Sequence, residues 1–285
     1  MICITGAGGT LGSEILAQLQ ATAAPPRAAF NSPAKAEAAR ARGIEAVVVD
    51  YADPAGMAAA FDGCERLFLL GPNVVDQTRL ETSAVMAARQ AGVKHIVKQS
   101  VLGAATLDYS LARVHRPVEQ AIEASGMAWT FLRPNSFMQN VMTFMAPTIR
   151  AESAFFSASG DGRISHIDVR DIAAVAVQAL TGSGHEGRAY ELTGPESLSY
   201  NEVAQALSDA LGRPVAHVDL PPEALREAML AEGLPELIAN RLLDLERLFR
   251  EGDASRVTDE VRRVTGQEPR RYADYLREIA AELAT

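Results

Sequence analysis

Cysteine is nearly absent. Cys3 and Cys64 are the only two in 285 residues, too few for a disulfide framework, and Cys3 falls in an apolar stretch where it reads as a small buried hydrophobe. The five histidines (His95, His115, His166, His185 and His217) show no ligand spacing with cysteine or with one another, so no metal site is expected. Basic charge is in deficit: 27 Lys and Arg stand against 36 Asp and Glu, for a net charge of -9 and an isoelectric point near 5.2. A surface of that sign repels phosphate backbones and anionic headgroups, which argues against nucleic acid and membrane as partners. No run approaches the roughly 20 apolar residues of a membrane span. The chain enters a strand-and-turn pattern at Met1-Ile2-Cys3-Ile4-Thr5-Gly6, which leaves no room for a signal peptide, and the cytoplasm is the expected compartment. Internal repeats and low-complexity runs are lacking too.

What is present is an apolar fraction of 48%, ample for one large or two modest domains. Short apolar runs alternate with helical patterns through the first half. Strands are expected at 2–5, 27–30, 47–50, 67–70, 95–99 and 128–132, and helices at 11–20, 35–42, 54–61 and 77–91. Fully apolar strands spaced by helices predict a parallel sheet covered on both faces. Right-handed crossovers make it an α/β, Rossmann-type doubly wound fold. Beyond Arg133 the character changes. Residues 137–149 are rich in Met and Phe, a turn falls at 160–162 and a helix at 171–180. From Gly184 the chain is helical and charged, with breaks at Pro195, Pro214, Pro221 and Pro235. The expected division is a dinucleotide-binding domain over 1–150, joined by 160–182, and a smaller, mostly helical capping region within 151–285.

Thr5-Gly6-Ala7-Gly8-Gly9-Thr10-Leu11-Gly12 joins the first strand to the first helix. In this context Gly6 makes the tight turn, Gly9 allows backbone approach to a pyrophosphate, and Gly12 lets helix and strand pack closely. Gly8 and the free N–H groups of the helix start at Thr10 and Leu11 complete an anion cradle. The pattern in its strand–turn–helix setting predicts a nicotinamide dinucleotide cofactor, NAD or NADP. The choice between them is left open by the end of the second strand, which carries Asn31, Ser32 and, one turn on, Lys35. Asn31 can hydrogen-bond either ribose form, Lys35 can reach a 2′-phosphate, and Asn-Ser-Pro also reads as a simple turn. Asp50-Tyr51 ends the third strand, where a carboxylate can accept from the adenine amino group or merely shape a turn. Ser100, at a strand end beside the switch point, is a candidate to touch nicotinamide or substrate, and equally a strand-end cap.

Together several segments resemble the atypical short-chain dehydrogenases of the NmrA-like group, over essentially the whole chain. They are the glycine loop, Asp50-Tyr51-Ala52-Asp53, the strand 97–100, His115-x-x-x-Glu119, the stretch 125–134, the stretch 167–173 and Tyr190-Glu191-Leu192-Thr193-Gly194-Pro195. The character is that of the quinone oxidoreductase and triphenylmethane reductase branch. The resemblance implies that Leu70-Gly71-Pro72 passes the nicotinamide ribose and that Pro134, Asn135 and Phe137 line the nicotinamide pocket through backbone groups. Ordinary short-chain dehydrogenases pair a catalytic tyrosine with a lysine four residues later, but Tyr109 here is followed at that spacing by Arg113. In the branch resembled, the histidine of His-x-x-x-Glu takes the neighbourhood of that lysine, which assigns the place to His115. Its other reading is an exposed helix histidine with Glu119 as an i,i+4 partner.

The expected activity is hydride transfer from NAD(P)H to a quinone or related aromatic or polycyclic acceptor, with Tyr109, His115 and Ser100 as candidate catalytic residues. Phe137, Met138, Met142 and Phe155 are expected to line the substrate pocket, with Phe144, Met145 and Phe156 as further wall candidates. Two alternatives stand beside it: a ketone reductase with Tyr109 as acid, and a non-catalytic dinucleotide sensor of the NmrA-like kind. The expected partner is a small aromatic substrate, and a homo-oligomer is compatible with the sequence. Because Asn31 is uncharged, discrimination between NADH and NADPH is expected to stay within about 1–2 kcal/mol. Asn31→Arg should shift preference toward NADPH and Asn31→Asp toward NADH, as read by fluorescence titration with both cofactors. Movement of both variants in one direction would remove Asn31 from the ribose.

Overall fold

Each apolar run at the start of the chain is followed by a helix that carries the backbone across the sheet, so the strands pair in parallel. The computed structural model describes residues 1–22 and 26–284. The strands and helices begin β1 (Ile2–Ile4), α1 (Thr10–Gln20), β2 (Arg27–Phe30), α2 (Pro33–Ala41), β3 (Ala46–Val48) and α3 (Pro54–Phe61). They continue with β4 (Arg66–Leu69), α4 (Gln77–Gln90), β5 (His95–Gln99), α5 (Ser110–Glu123) and β6 (Ala128–Pro134). After a π-helical turn at Val141–Met145 come α6 (Ala146–Glu152), β7 (Ala154–Ser157), β8 (Arg163–Ile164), α7 (Val169–Thr181) and β9 (Arg188–Leu192). The last elements are β10 (Leu198–Ser199), α8 (Tyr200–Leu211), β11 (Ala216–Asp219), α9 (Pro222–Ala231), α10 (Glu236–Glu251), α11 (Glu260–Thr265) and α12 (Tyr272–Ala284).

A seven-stranded sheet runs in the order β3-β2-β1-β4-β5-β6-β9. The pairs from β3 through β6 are parallel. This is the α/β Rossmann-type arrangement the alternation predicted. Strand order reverses between β1 and β4, the place where such sheets open a crevice at their carboxyl ends. Thr5 fixes that point. Its hydroxyl donates to the Phe68 carbonyl at 3.0 Å and accepts the Leu70 N–H at 2.9 Å.

The chain divides into two compact units. The first holds Met1–Leu107, Ala112–Pro134 and Val169–Glu191, and the second Asp108–Leu111, Asn135–Asp168 and Leu192–Thr285. The segment after β6 thus groups with the second unit, and the return to the first runs over Val169–Glu191 rather than 160–182. The backbone explains the boundary. Phe137 bridges Ile167, Met138 N–H donates to the Ile167 carbonyl and Ile167 N–H to that of Ser136, each at 2.9 Å. The chain beyond Pro134 therefore folds back on its own unit. In the first unit α7 packs along α1, with Gln18 Nε2 donating to the Arg170 carbonyl at 3.1 Å. The second unit is helical but adds two small sheets, β10-β8 and β11-β7, whose two- to four-residue strands leave little trace in sequence. Among the described residues no helix is long and apolar enough to cross a membrane.

Gly12 shows how closely α1 starts against the preceding turn. A Cβ there would lie 2.1 Å from the Gly6 carbonyl oxygen and 2.7 Å from its carbon, both backbone atoms with no side chain to move aside. Gly12→Ala is expected to cost about 1–3 kcal/mol of stability, read as a lower midpoint in denaturant unfolding. An unchanged midpoint would mean that α1 can slide away from the turn freely.

Candidate functional site

At the carboxyl ends of β1 to β4 lies a cavity of about 620 Å³. Gly6, Gly8 and Gly9 form one side, Phe30, Asn31 and Lys35 the next, then Asp50 and Tyr51, and finally Leu70, Gly71 and Pro72. Gly6 adopts φ +64°, a conformation that glycine takes without strain. Gly9 N–H donates to the Gly6 carbonyl at 2.9 Å, and the first backward bond of α1 runs from Ser13 N–H to the Gly9 carbonyl. Helix geometry leaves the Thr10, Leu11 and Gly12 amides without intrahelical acceptors, and Gly9 as N-cap brings no side chain to meet them. A Cβ on Gly9 would come no nearer than 3.4 Å to the Gly6 oxygen, so internal packing does not demand a glycine there. The open side of Gly9 and the unmet amides fit a pyrophosphate.

The neighbouring candidates divide by what their polar atoms already do. Ser32 caps α2, accepting from Lys35 N–H at 3.4 Å, and is not part of the cavity wall. Lys35 Nζ lies 3.4 Å from the Gly8 carbonyl, tying the first turn of α2 to the glycine loop. Asp50 accepts from Ala52 N–H at 2.8 Å in a local turn yet stays exposed on the cavity. The Tyr51 hydroxyl donates to the Leu70 carbonyl at 2.8 Å, and burial pushes its pKa upward. Leu11 is buried and offers only its backbone.

Sequence reasoning missed the group that anchors His115. Lys98 lies in β5, fully buried, and pairs at 2.9 Å with Glu81 of α4, also fully buried. The other Glu81 oxygen accepts Gly71 N–H at 2.8 Å, and a Cβ on Gly71 would fall 2.4 Å from Glu81 Cγ. Lys98 Nζ lies 3.1 Å from His115 Nδ1. An ammonium has donors only, so Nδ1 must accept and the proton of the neutral ring sits on Nε2. Four residues thus run from the cavity wall at Gly71 to His115, which is buried and not the exposed histidine of the alternative reading. The signal for this group was a lysine inside the apolar run His95-Ile96-Val97-Lys98.

Glu119, one turn beyond His115, is equally buried. Arg133 grips both its oxygens at 2.9 and 2.7 Å. Burial pushes the Glu119 carboxyl up, but hydrogen bonds from Arg133 and the proximity of the Ser100 hydroxyl outweigh it and hold the pKa below the ordinary range. Ser100 is fully buried and its Oγ makes no hydrogen bond of ordinary geometry among the described residues. Arg133 also reaches Glu191 at 3.2 Å, whose second oxygen accepts Gly103 N–H at 2.9 Å. Tyr109 is buried and groups with the second unit.

The second unit has its own cavity, of about 360 Å³. Phe137, Phe144, Met145 and Phe156 stand on its wall with Phe249 and Met229. Three expected wall residues are corrected. Met138 and Phe155 are fully buried, and Met142 is half-buried and off the wall. Alternation along β7 sends Phe155 and Phe156 to opposite faces, and Phe155 packs 5.3 Å from the His217 ring and edge-on to Tyr200 at 5.6 Å. Asn135 braces this unit. Its Nδ2 donates to Ser165 Oγ and the Ala254 carbonyl, and its Oδ1 accepts Ser136 N–H, all at 2.8 Å. In the first unit the Pro134 carbonyl accepts Leu102 N–H at 2.9 Å. No group of three or more His, Cys, Asp or Glu among the described residues could hold a metal.

Residues 1–276 match the NmrA-like family. The chain belongs to that family. The NAD(P)H azoreductase of Xenophilus azovorans is 41% identical over 99% of this chain and 98% of its own. The NADPH-dependent quinone oxidoreductase of Escherichia coli, solved with NADPH, superposes with a TM-score of 0.91 at 31% identity, covering 98% of this chain and 99% of that one. The triphenylmethane reductase of a Citrobacter species, solved with NADP(H), gives 0.88 at 26% identity over 97% and 99%. This NmrA-like chain is an NAD(P)H-dependent oxidoreductase, with NAD or NADP as its cofactor. Gly9→Val should fold with near-parental stability, because space is open at that Cβ, yet bind NADH and NADPH at least about tenfold more weakly by blocking backbone approach. Fluorescence titration checks this, and undiminished affinity in the folded variant would move the pyrophosphate elsewhere.

Proposed function

We propose that this oxidoreductase passes hydride from NAD(P)H to a quinone or related aromatic or polycyclic acceptor. The observation that carries the reading is the fixed His115. With Nδ1 bound by Lys98 at 3.1 Å, the ring is held in one orientation, suited to positioning a ribose, and as a neutral imidazole it is a poor proton donor to a substrate. Tyr109 is followed at four residues' spacing by Arg113 and not by the lysine of the ordinary tyrosine–lysine pair. A first unit equipped for positioning rather than acid catalysis suits an acceptor electrophilic enough to take hydride without protein protonation. The aromatic and thioether wall of the second unit's cavity supports a flat apolar acceptor, and the names of the azoreductase and quinone oxidoreductase relatives point the same way.

In this reading the glycine loop and the start of α1 hold the pyrophosphate, Asn31 and Lys35 meet the adenosine ribose, and Asp50 faces the adenine. Leu70, Gly71, Pro72, Ser100 and His115 bound the nicotinamide ribose, with the Pro134 backbone toward the ring. When bound, the dihydronicotinamide supplies the hydride, and a quinone taking it up with one solvent proton becomes a hydroquinone. Glu81 and Lys98 keep His115 and the Gly71 amide in register.

The test is kcat/KM for quinone reduction by two variants, with thermal stability followed in parallel. Tyr109→Phe is expected to stay within about threefold of the parent, while His115→Ala falls about tenfold or more through a misplaced ribose. A general acid contributes a factor of about 10²–10⁴. A loss of that size on the tyrosine change alone would instead assign ketone reduction with Tyr109 as acid.

A further inference from the structure

The cavity of the second unit is apolar over most of its wall, but His166 brings to it two polar atoms that the protein itself leaves unused. His166 is 4% exposed and lines the cavity, and neither of its ring nitrogens has a hydrogen-bond partner among the described residues. A buried polar group left unmet costs free energy and calls for an explanation. Stacking, not hydrogen bonding, holds the ring: Tyr272 lies 4.9 Å away at 21° and Tyr200 5.9 Å away. Burial lowers the His166 pKa to about 3, so the ring is neutral and presents one N–H and one lone pair. Glu246 lines the same cavity. Burial pushes its carboxyl up to about 7, and one oxygen accepts Ala158 N–H at 3.1 Å. No lysine or arginine stands on the wall among the described residues.

We propose that His166 determines the specificity of this cavity, hydrogen-bonding the ring oxygen of a neutral one- or two-ring aromatic ligand and so selecting oxygenated rings over hydrocarbons and anions. The inference rests on the reading that this cavity takes the acceptor. Its volume of about 360 Å³ stands near the lower end of small-molecule pockets, roughly 300–1,000 Å³, which limits the ring count. A neutral imidazole serves both redox forms of such a ligand. Its N–H donates to a quinone carbonyl, and its lone pair accepts from the hydroxyl of the reduced product. A sulfonate or carboxylate finds no lysine or arginine among the described wall residues, so an anionic ring would enter without a counter-ion and is disfavoured by charge rather than by size.

The experiment titrates the full chain with three probes of similar shape, naphthol, methylnaphthalene and naphthalene sulfonate, and measures the same probes as inhibitors of quinone reduction. The parent is expected to bind naphthol about tenfold more tightly than methylnaphthalene, the size of one hydrogen bond to a buried unmet group, and the sulfonate most weakly. His166→Phe keeps an aromatic ring against Tyr272 and deletes both nitrogens. It should bring naphthol and methylnaphthalene within about twofold of each other, and raise the melting temperature of the ligand-free protein. As a check that needs no variant, naphthol should shift the resonance of a His166 nitrogen in isotope-labelled protein. Equal affinities in the parent, a preference retained by His166→Phe, or an unmoved His166 resonance would overturn the proposal. Naphthol bound through His166 without competing against the quinone would sink the acceptor assignment of the cavity and leave the role of His166 intact.

Discussion

One ion pair, Lys98 with Glu81, holds four elements of the first unit in register. Removing two charges from water is costly, and in a protein interior the attraction between them repays it only when their remaining donors and acceptors are also met. Here they are met by groups from separate elements. Glu81 takes the Gly71 amide at the end of β4, and Lys98 turns to His115 on α5. The end of β4, α4, β5 and α5 are therefore fixed relative to one another by a single buried requirement. A second buried carboxylate, Glu119, does the same for β6 through Arg133. Through the Gly71 amide the first of these pairs also reaches the wall of the cavity at the ends of β1 to β4.

The three glycines of the loop illustrate a different economy. Gly6 is required by its backbone angle, Gly12 by the closeness of a carbonyl, and Gly9 by neither. Two of them are demanded by the fold, and the third is not. That separation matters because a glycine triplet in sequence looks uniform, while the physical reasons for each member are distinct and fail under different substitutions.

Much of the architecture was legible from periodicity. Apolar strands of three to seven residues alternating with amphipathic helices fix a parallel sheet, and the glycine loop marks its first crossover. Asn31, Lys35, Asp50 and Gly71 were readable because strand ends in this topology fall on one edge. Lys98 and Glu81 were not, since nothing local announces that a lysine in β5 meets a glutamate 17 positions earlier. Phe155 and Phe156 could not be told apart before the register of β7 was known. The cavity of the second unit draws on α9 and α10, whose wall residues (Leu225, Met229, Glu246 and Phe249 among them) read in sequence as ordinary amphipathic helix. His166 carried no signal at all, because an unmet hydrogen bond is a property of surroundings.

The loop that follows β5 is held by charge. Glu191 accepts the Gly103 amide while Arg133 binds both Glu191 and Glu119, so the backbone past Ser100 has its shape before any dinucleotide arrives. Ordering a flexible loop upon association subtracts from affinity, whereas a loop already ordered has lost that entropy during folding. That edge is preorganised, and any ligand meeting it would put the free energy of the encounter into contacts instead of into freezing chain.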